Sequence, residues 1–164
     1  PSPEELASSH NVNLLREFYY YCCSEVSVEN LLCFLTIRDY KKEPTFEKAS
    51  FIQKSFLVRN GQYEVNTNKS KIEAVNLRLE NYSSMHVYAK TPAPDIFDGV
   101  FMDAKVNMIE TLGRFQSSYL QRKLGVVWLY KVPVAAYIHQ VPKHINFIRS
   151  INDVGFKLPI ALAV

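Results

Sequence analysis

The stretch Ser27-Val28-Glu29-Asn30-Leu31-Leu32-Cys33-Phe34-Leu35-Thr36-Ile37-Arg38-Asp39-Tyr40-Lys41-Lys42, entered from Tyr21-Cys22-Cys23-Ser24-Glu25-Val26, decides the fold of this 164-residue chain. Val28, Leu31, Leu32 and Leu35 fall at the three-and-four spacing of a buried helical stripe, and neither Gly nor Pro interrupts the run before Pro44. Ser27 suits the N-cap, because a serine hydroxyl can accept from an orphan amide of the first turn. Asn30 stands where a capping box would place Glu or Gln. Pro44 stops the helix, since proline drives the residue before it out of the helical region.

Working outward, Ala49, Ile52 and Phe56 form the next apolar stripe and Asn60-Gly61 supplies a C-terminal stop, so the spacing predicts a helix over 46–59. Ile72, Val75 and Leu79 mark a third stripe, entered through Thr67-Asn68, whose side chains suit a cap or an Asx turn. Residues 81–94 break the pattern and read as a loop stiffened by Pro92 and Pro94. Asp95 suits the cap of a further helix along which Phe101, Ala104, Met108 and Leu112 share a face, extended by Val106 and Ile109. Gly113 is expected to bend or end that helix before Arg114 to Leu124 continues it. Upstream, Leu14, Leu15, Phe18 and Tyr21 or Cys22 complete the helical set. Beyond Gly125 the run VVWLYKV reads as a short strand or a helical turn, and Ile145, Ile148 and Ile151 or Asn152 suggest a short helix. There is no internal repeat.

Composition narrows the class. Hydrophobic residues make up 48% of the chain, enough for one substantial core and too many for intrinsic disorder. Five glycines are few for a turn-rich all-β protein, which favours an all-α fold. The three cysteines, Cys22, Cys23 and Cys33, are odd in number with two adjacent, so they suggest buried apolar side chains in a reducing, cytoplasmic setting rather than a disulfide framework. Pro1-Ser2-Pro3-Glu4-Glu5 has neither the basic nor the apolar part of a secretory signal, and the apolar run Leu124–Val141 is interrupted by Lys131, Pro133 and His139. Phosphate-cradling and dinucleotide-binding glycine motifs and a nucleophile elbow are all missing. His10, His86, His139 and His144 are scattered without companion ligands, so no metal and no cofactor are expected.

Three places along the chain resemble one family. Ser27-Val28-Glu29-Asn30 opening a helix that ends Tyr40-Lys41-Lys42, then Glu64-Val65-Asn66, then Glu110-Thr111-Leu112-Gly113-Arg114-Phe115 are together similar to the signature of RGS domains, regulators of G-protein signalling. The resemblance covers about Leu14 to Leu124. It implies an RGS-type helical domain over 1–124, with an antiparallel four-helix bundle subdomain and a terminal-helix subdomain, followed by an extension over 125–164. It further implies a GTPase-activating protein that binds the switch regions of a heterotrimeric G-protein α subunit and contributes no catalytic residue of its own. The α subunit carries its arginine in cis and the glutamine that orients the attacking water.

By the same resemblance, Asn30 sits beside that glutamine and switch I, and Asn66 faces a switch segment with Asn68 two residues on. Glu110, Thr111 and Arg114 line the pocket for a switch I threonine, and Val106 forms its apolar wall. Glu25, Ser27 and Glu29 complete the expected contact set. On the residues alone, Asn30 is a solvated side chain or a cap, Asn66 belongs to an Asx turn, and Glu110 with Arg114 is an i, i+4 helix pair. Three departures stand out: Glu110 replaces the usual aspartate, Phe34 replaces a common tryptophan, and 81–94 is longer than the family's connection. The alternative reading is an RGS-homology scaffold that binds without accelerating hydrolysis.

Charge is uneven. Of 19 basic and 16 acidic side chains, residues 121–164 hold Arg122, Lys123, Lys131, Lys143, Arg149 and Lys157 against Asp153 alone. This basic tail offers contact with an anionic surface such as the inner face of the plasma membrane, while a net charge of +3 gives little reason to expect nucleic acid.

Overall fold

The computed structural model describes residues 1–8, 12–84, 90–123 and 141–159. The described residues form seven α-helices and no strand: α1 (Pro3–Leu6), α2 (Val12–Ser24), α3 (Val28–Lys42), α4 (Phe46–Phe56), α5 (Lys69–Ser84), α6 (Asp98–Lys123) and α7 (Ile145–Asp153), the last preceded by a 3-10 turn over Val141–His144. No helix among them is long and apolar enough to cross a membrane. The all-α class follows directly.

Helix α3 is the axis of the core. Its apolar side chains Val28, Leu31, Leu32, Cys33, Phe34, Leu35, Ile37 and Tyr40 are all buried, and it packs on α6, α4 and α2. Phe34 stacks on Phe101 of α6 at 4.8 Å between ring centroids, and Tyr40 meets Phe97 edge-on at 5.2 Å while its hydroxyl donates to the Ala93 carbonyl at 2.7 Å. Phe18 and Tyr21 of α2 reach Phe115 of α6 at 5.3 and 5.5 Å. Two of the polar groups drawn inside α3 and α4 are partnered: Thr36 donates back to the Leu32 carbonyl, and the buried Lys48 of α4 lies 2.9 Å from Asp39. Gln53 of α4 donates to Asn76 of α5 at 2.7 Å, and α5 in turn packs on α6.

Several boundaries differ from the sequence expectation. Helix α4 ends at Phe56, three residues early, because Val58 to Gly61 turn back with Asn60 at φ 61° and Gly61 N–H bonded to Val58. Helix α5 runs on through Ser84, so Asn81–Ser84 are helical rather than loop. Tyr82 anchors that last turn by packing edge-on against Phe46 and accepting the Ala93 amide. Residues 85–89 of the expected loop lie outside the described residues. Asp95 does not cap α6, whose first residue is Asp98; its carboxylate pairs with Arg78 at 2.7 Å.

Gly113 does not end α6, which continues to Lys123. The cost of about 1 kcal/mol for a mid-helix glycine is outweighed by burying Leu112 and Phe115 on either side of it. The VVWLYKV run also lies outside the described residues. The helix expected around Ile145, Ile148 and Ile151 is α7, which buries Ile148 and Ile151.

Helices α2 and α7 end in the same way, with a left-handed residue and a six-to-one bond, Ser27 N–H to Cys22 and Phe156 N–H to Ile151. At the second turn the left-handed residue is Gly155, φ 97°; at the first it is Val26, φ 57°, a β-branched residue 83% exposed. Side chains pay about 1–2 kcal/mol in that conformation, and Val26 recovers almost nothing by burial. Val26→Gly is therefore expected to raise stability by about 1 kcal/mol, or about 3 °C in melting temperature by calorimetry. An unchanged or lower melting temperature would show the strain is not there.

Candidate functional site

The α2–α3 corner, the loop leading into α5 and one stripe of α6 converge at a single polar patch. Asn30, in the first turn of α3, is only 9% exposed. Its Nδ2 donates to Glu29 at 2.9 Å and its Oδ1 accepts from Nδ2 of Asn107 on α6 at 3.2 Å. The same Asn107 amide donates to the Asn66 carbonyl, also at 3.2 Å, so one side chain of α6 ties the α3 corner to the α5 loop. Burial pushes the Glu29 carboxyl up from its ordinary value. Ser27 makes no capping bond to α3; its hydroxyl lies beside the Cys22 thiol, whose own ionisation burial strongly opposes.

The loop into α5 is fixed at both ends. Asn68 accepts from the Ser70 amide at 2.9 Å and from the Ser70 hydroxyl at 3.0 Å, the cap its sequence position suggests. Thr67 donates to Asp103 of α6 at 2.6 Å, and Lys71 meets the other oxygen of that carboxylate at 2.6 Å. Burial raises the Asp103 carboxyl's pKa, but the bonds from Lys71 and Thr67 outweigh it and hold the group below its ordinary value. Asn66 itself is exposed.

At the other end of the patch Arg114 reaches across to Glu25 rather than along α6 to Glu110. Its Nη2 and Nε lie 2.6 and 3.1 Å from one Glu25 oxygen, and Tyr21 donates to the other oxygen at 2.5 Å. A forked guanidinium facing a half-buried carboxylate outcompetes an exposed intrahelical pair. Arg114 also donates to the Thr111 hydroxyl at 3.3 Å, which places the hydroxyl beside the pair. Burial raises the Glu25 carboxyl's pKa while Arg114 and Tyr21 lower it more, so the group stays ionised below the usual range. Burial and Glu25 together push the Tyr21 phenol up to about 12.

Of the ten residues singled out from the sequence, Glu29, Asn30 and Asn66 are joined to Asn107 through side chain or backbone, Glu25, Thr111 and Arg114 form a second bonded cluster further along α6, and Asn68 caps the loop into α5. Ser27 points inward instead. Val106 and Glu110 are both exposed and lie on the neighbouring stripe of α6, outside the bonded network. Sequence reasoning missed Asp103, Asn107 and the anchoring role of Thr67. A signal was there, because Asp103, Asn107, Thr111 and Arg114 recur at four, four and three residues, one polar line along a helix. Among the described residues no group of His, Cys, Asp and Glu is placed to hold a metal ion.

No protein-family model, curated protein or solved structure matches this chain.

The Glu25–Arg114 pairing has a definite pH signature. A carboxyl whose pKa is lowered by folding stabilises the fold above its ordinary value of 4.5, and that contribution disappears as pH falls through the folded pKa. The melting-temperature gap between the wild type and Glu25→Gln is expected to be open at pH 7 and to close below pH 4.5. A gap that stays constant as the pH falls well below 4.5 would mean the pair contributes nothing.

Proposed function

We propose that this chain is an RGS-type GTPase-activating protein for a heterotrimeric G-protein α subunit. The observation that carries the reading is the convergence of the three segments that resemble the family. They are 36 residues or more apart between Asn30, Asn66 and Thr111 in the sequence, yet they meet at one patch through Asn107 and the Glu25–Arg114 pair. In this reading α3, α4, α5 and α6 form the antiparallel four-helix bundle, and α1, α2 and the C-terminal end of α6 form the terminal subdomain.

The patch holds side chains suited to clasping another protein's loops. Asn66 and Arg114 are exposed hydrogen-bonding groups near an exposed apolar residue, Val106, while Asn30 and Thr111 are largely buried beside them. The partner supplies the cis arginine, the water-orienting glutamine and the nucleotide. What this chain supplies is a fixed surface that fits the switch segments best in the transition state, each tenfold gain in rate requiring about 1.4 kcal/mol of differential binding. In this reading Asn30 is the residue that addresses the glutamine. Because Asn107 and Glu29 already hold its amide, little freedom is lost when the partner docks.

One observation favours the second reading, a scaffold without acceleration. Arg114 is already engaged by Glu25, and the exposed Glu110 stands apart from both. The exposed Lys143, Arg149 and Lys157 of the C-terminal segment are the described groups that would meet an anionic membrane surface beside such a partner.

Single-turnover GTP hydrolysis over a panel of α subunits separates the readings. The protein is expected to accelerate at least one of them, and Asn30→Ala, which leaves Asn107 bonded to Asn66, is expected to remove about tenfold or more of the acceleration with the melting temperature kept within a few degrees. No acceleration of any α subunit by the folded wild type would sink the activating role, and acceleration indifferent to Asn30→Ala would sink the site.

A further inference from the structure

The loop that presents Asn66 is held from behind as well as from the front. Between α4 and α5 burial alternates: Tyr63 and Val65 point into the core, at 7% and 1% exposure, while Asn66 is exposed. The Val65 amide bonds back to the Phe56 carbonyl at 3.0 Å, closing the loop on the end of α4. Alternation of this kind means that whatever fixes Tyr63 and Val65 also fixes the direction in which Asn66 faces.

Tyr63 is fixed by the C-terminal segment. Its ring lies nearly parallel on Phe147 of α7, 3.7 Å between centroids with planes 11° apart, and its hydroxyl shares a 2.8 Å hydrogen bond with Nδ1 of His144, the residue that caps α7. Phe147 is itself seated on α4, against Phe51 and Phe56, at 5.8 Å from each ring. The segment from 141 to 159 therefore reaches the site loop by a route of contacts that touches neither α3 nor α6.

We infer that His144 and Phe147 are positioning residues for the site: by gripping Tyr63 they set the orientation of Asn66 and hence its bond to Asn107, so that docking of the C-terminal segment tunes how well the patch fits its partner. This rests on the GTPase-activating reading for its functional consequence, while the mechanical coupling from Phe147 to Asn107 stands without it. The segment buries Ile148, Ile151 and Phe156 on the core, which accounts for its docking. Beyond that, one aromatic ring and one hydrogen bond fall on the buried side chain three residues before Asn66, and the Asn66 carbonyl is the group Asn107 reads.

The test uses the full chain and the variants Phe147→Leu, His144→Ala and Tyr63→Phe, the last removing only the hydroxyl. Two readouts are taken well below the melting temperature: the side-chain amide resonances of Asn107 by nuclear magnetic resonance, and single-turnover GTP hydrolysis by an α subunit at saturating protein. The expected result is a shift of the Asn107 amide signals in all three variants and a loss of about tenfold in saturating rate for Phe147→Leu, recovered in Phe147→Tyr, which keeps the ring. A lowered melting temperature with unshifted Asn107 signals would overturn the inference and leave α7 a stability element. If the wild type accelerates no α subunit, the amide signals alone decide: shifts uphold the coupling while the activating role fails, and no shifts overturn both.

Discussion

Helix α3 has almost no face left for solvent, and that constraint organises everything around it. From Val28 to Tyr40 nearly every side chain is buried, so α2, α4 and α6 must cover it on separate sides. Each large apolar side chain taken out of water there contributes about 1.5–3 kcal/mol, which dwarfs any local preference of the neighbouring helices. A helix buried on all sides also draws its polar residues inward, and each has found a partner. Thr36 bonds to its own preceding turn, Asp39 holds Lys48, and Asn30 holds Asn107. The first two are internal matters. The third lies where α3 emerges from the core, and there the same burial that stabilises the fold immobilises a side chain at the surface.

That immobilisation is the physical content of the proposed role. A protein that accelerates a partner's chemistry without adding a reactive group has only shape and fixed dipoles to offer, and these count in proportion to how little they must rearrange. Asn30 is held by two bonds, the Asn66 carbonyl by the Asn107 amide, and Arg114 by a forked contact with Glu25. Val26, the one β-branched residue in a left-handed conformation among the described residues, lies at the α2–α3 corner next to Glu25 and exposes its apolar side chain. Strain retained at such a position has a cost that nothing in the core recovers.

Much of the fold was legible because its signals are local and periodic. The α3 stripe, the stop at Pro44, the Asn68 cap and the isoleucine stripe of α7 each depend on a few neighbouring residues, and each is found where its spacing put it. What the sequence misjudged depends on contacts far along the chain. Gly113 reads as a break until Leu112 and Phe115 are seen buried on either side of it within one continuous α6, and Asn81 reads as loop until Tyr82 is seen pinned by Phe46 and Ala93. The site divides in the same way. Asn30 and Asn66 were picked out by motif, but the residue that joins them, Asn107, carries no motif and is recognisable only from its place on the polar line with Asp103, Thr111 and Arg114. Arg114 was paired with the wrong acid, since spacing favours Glu110 and only the packing of α2 against α6 brings Glu25 within reach.

Transition-state complementarity is the centre of the account, and it is measured most directly by binding. Affinity for an α subunit should be determined in three states: with GDP, with a slowly hydrolysed GTP analogue, and with GDP and aluminium fluoride, which imitates the phosphoryl group in transfer. The account predicts clear preference for the aluminium fluoride state, by about tenfold or more over GDP. Equal affinity in all three states, or none in any, would contradict it.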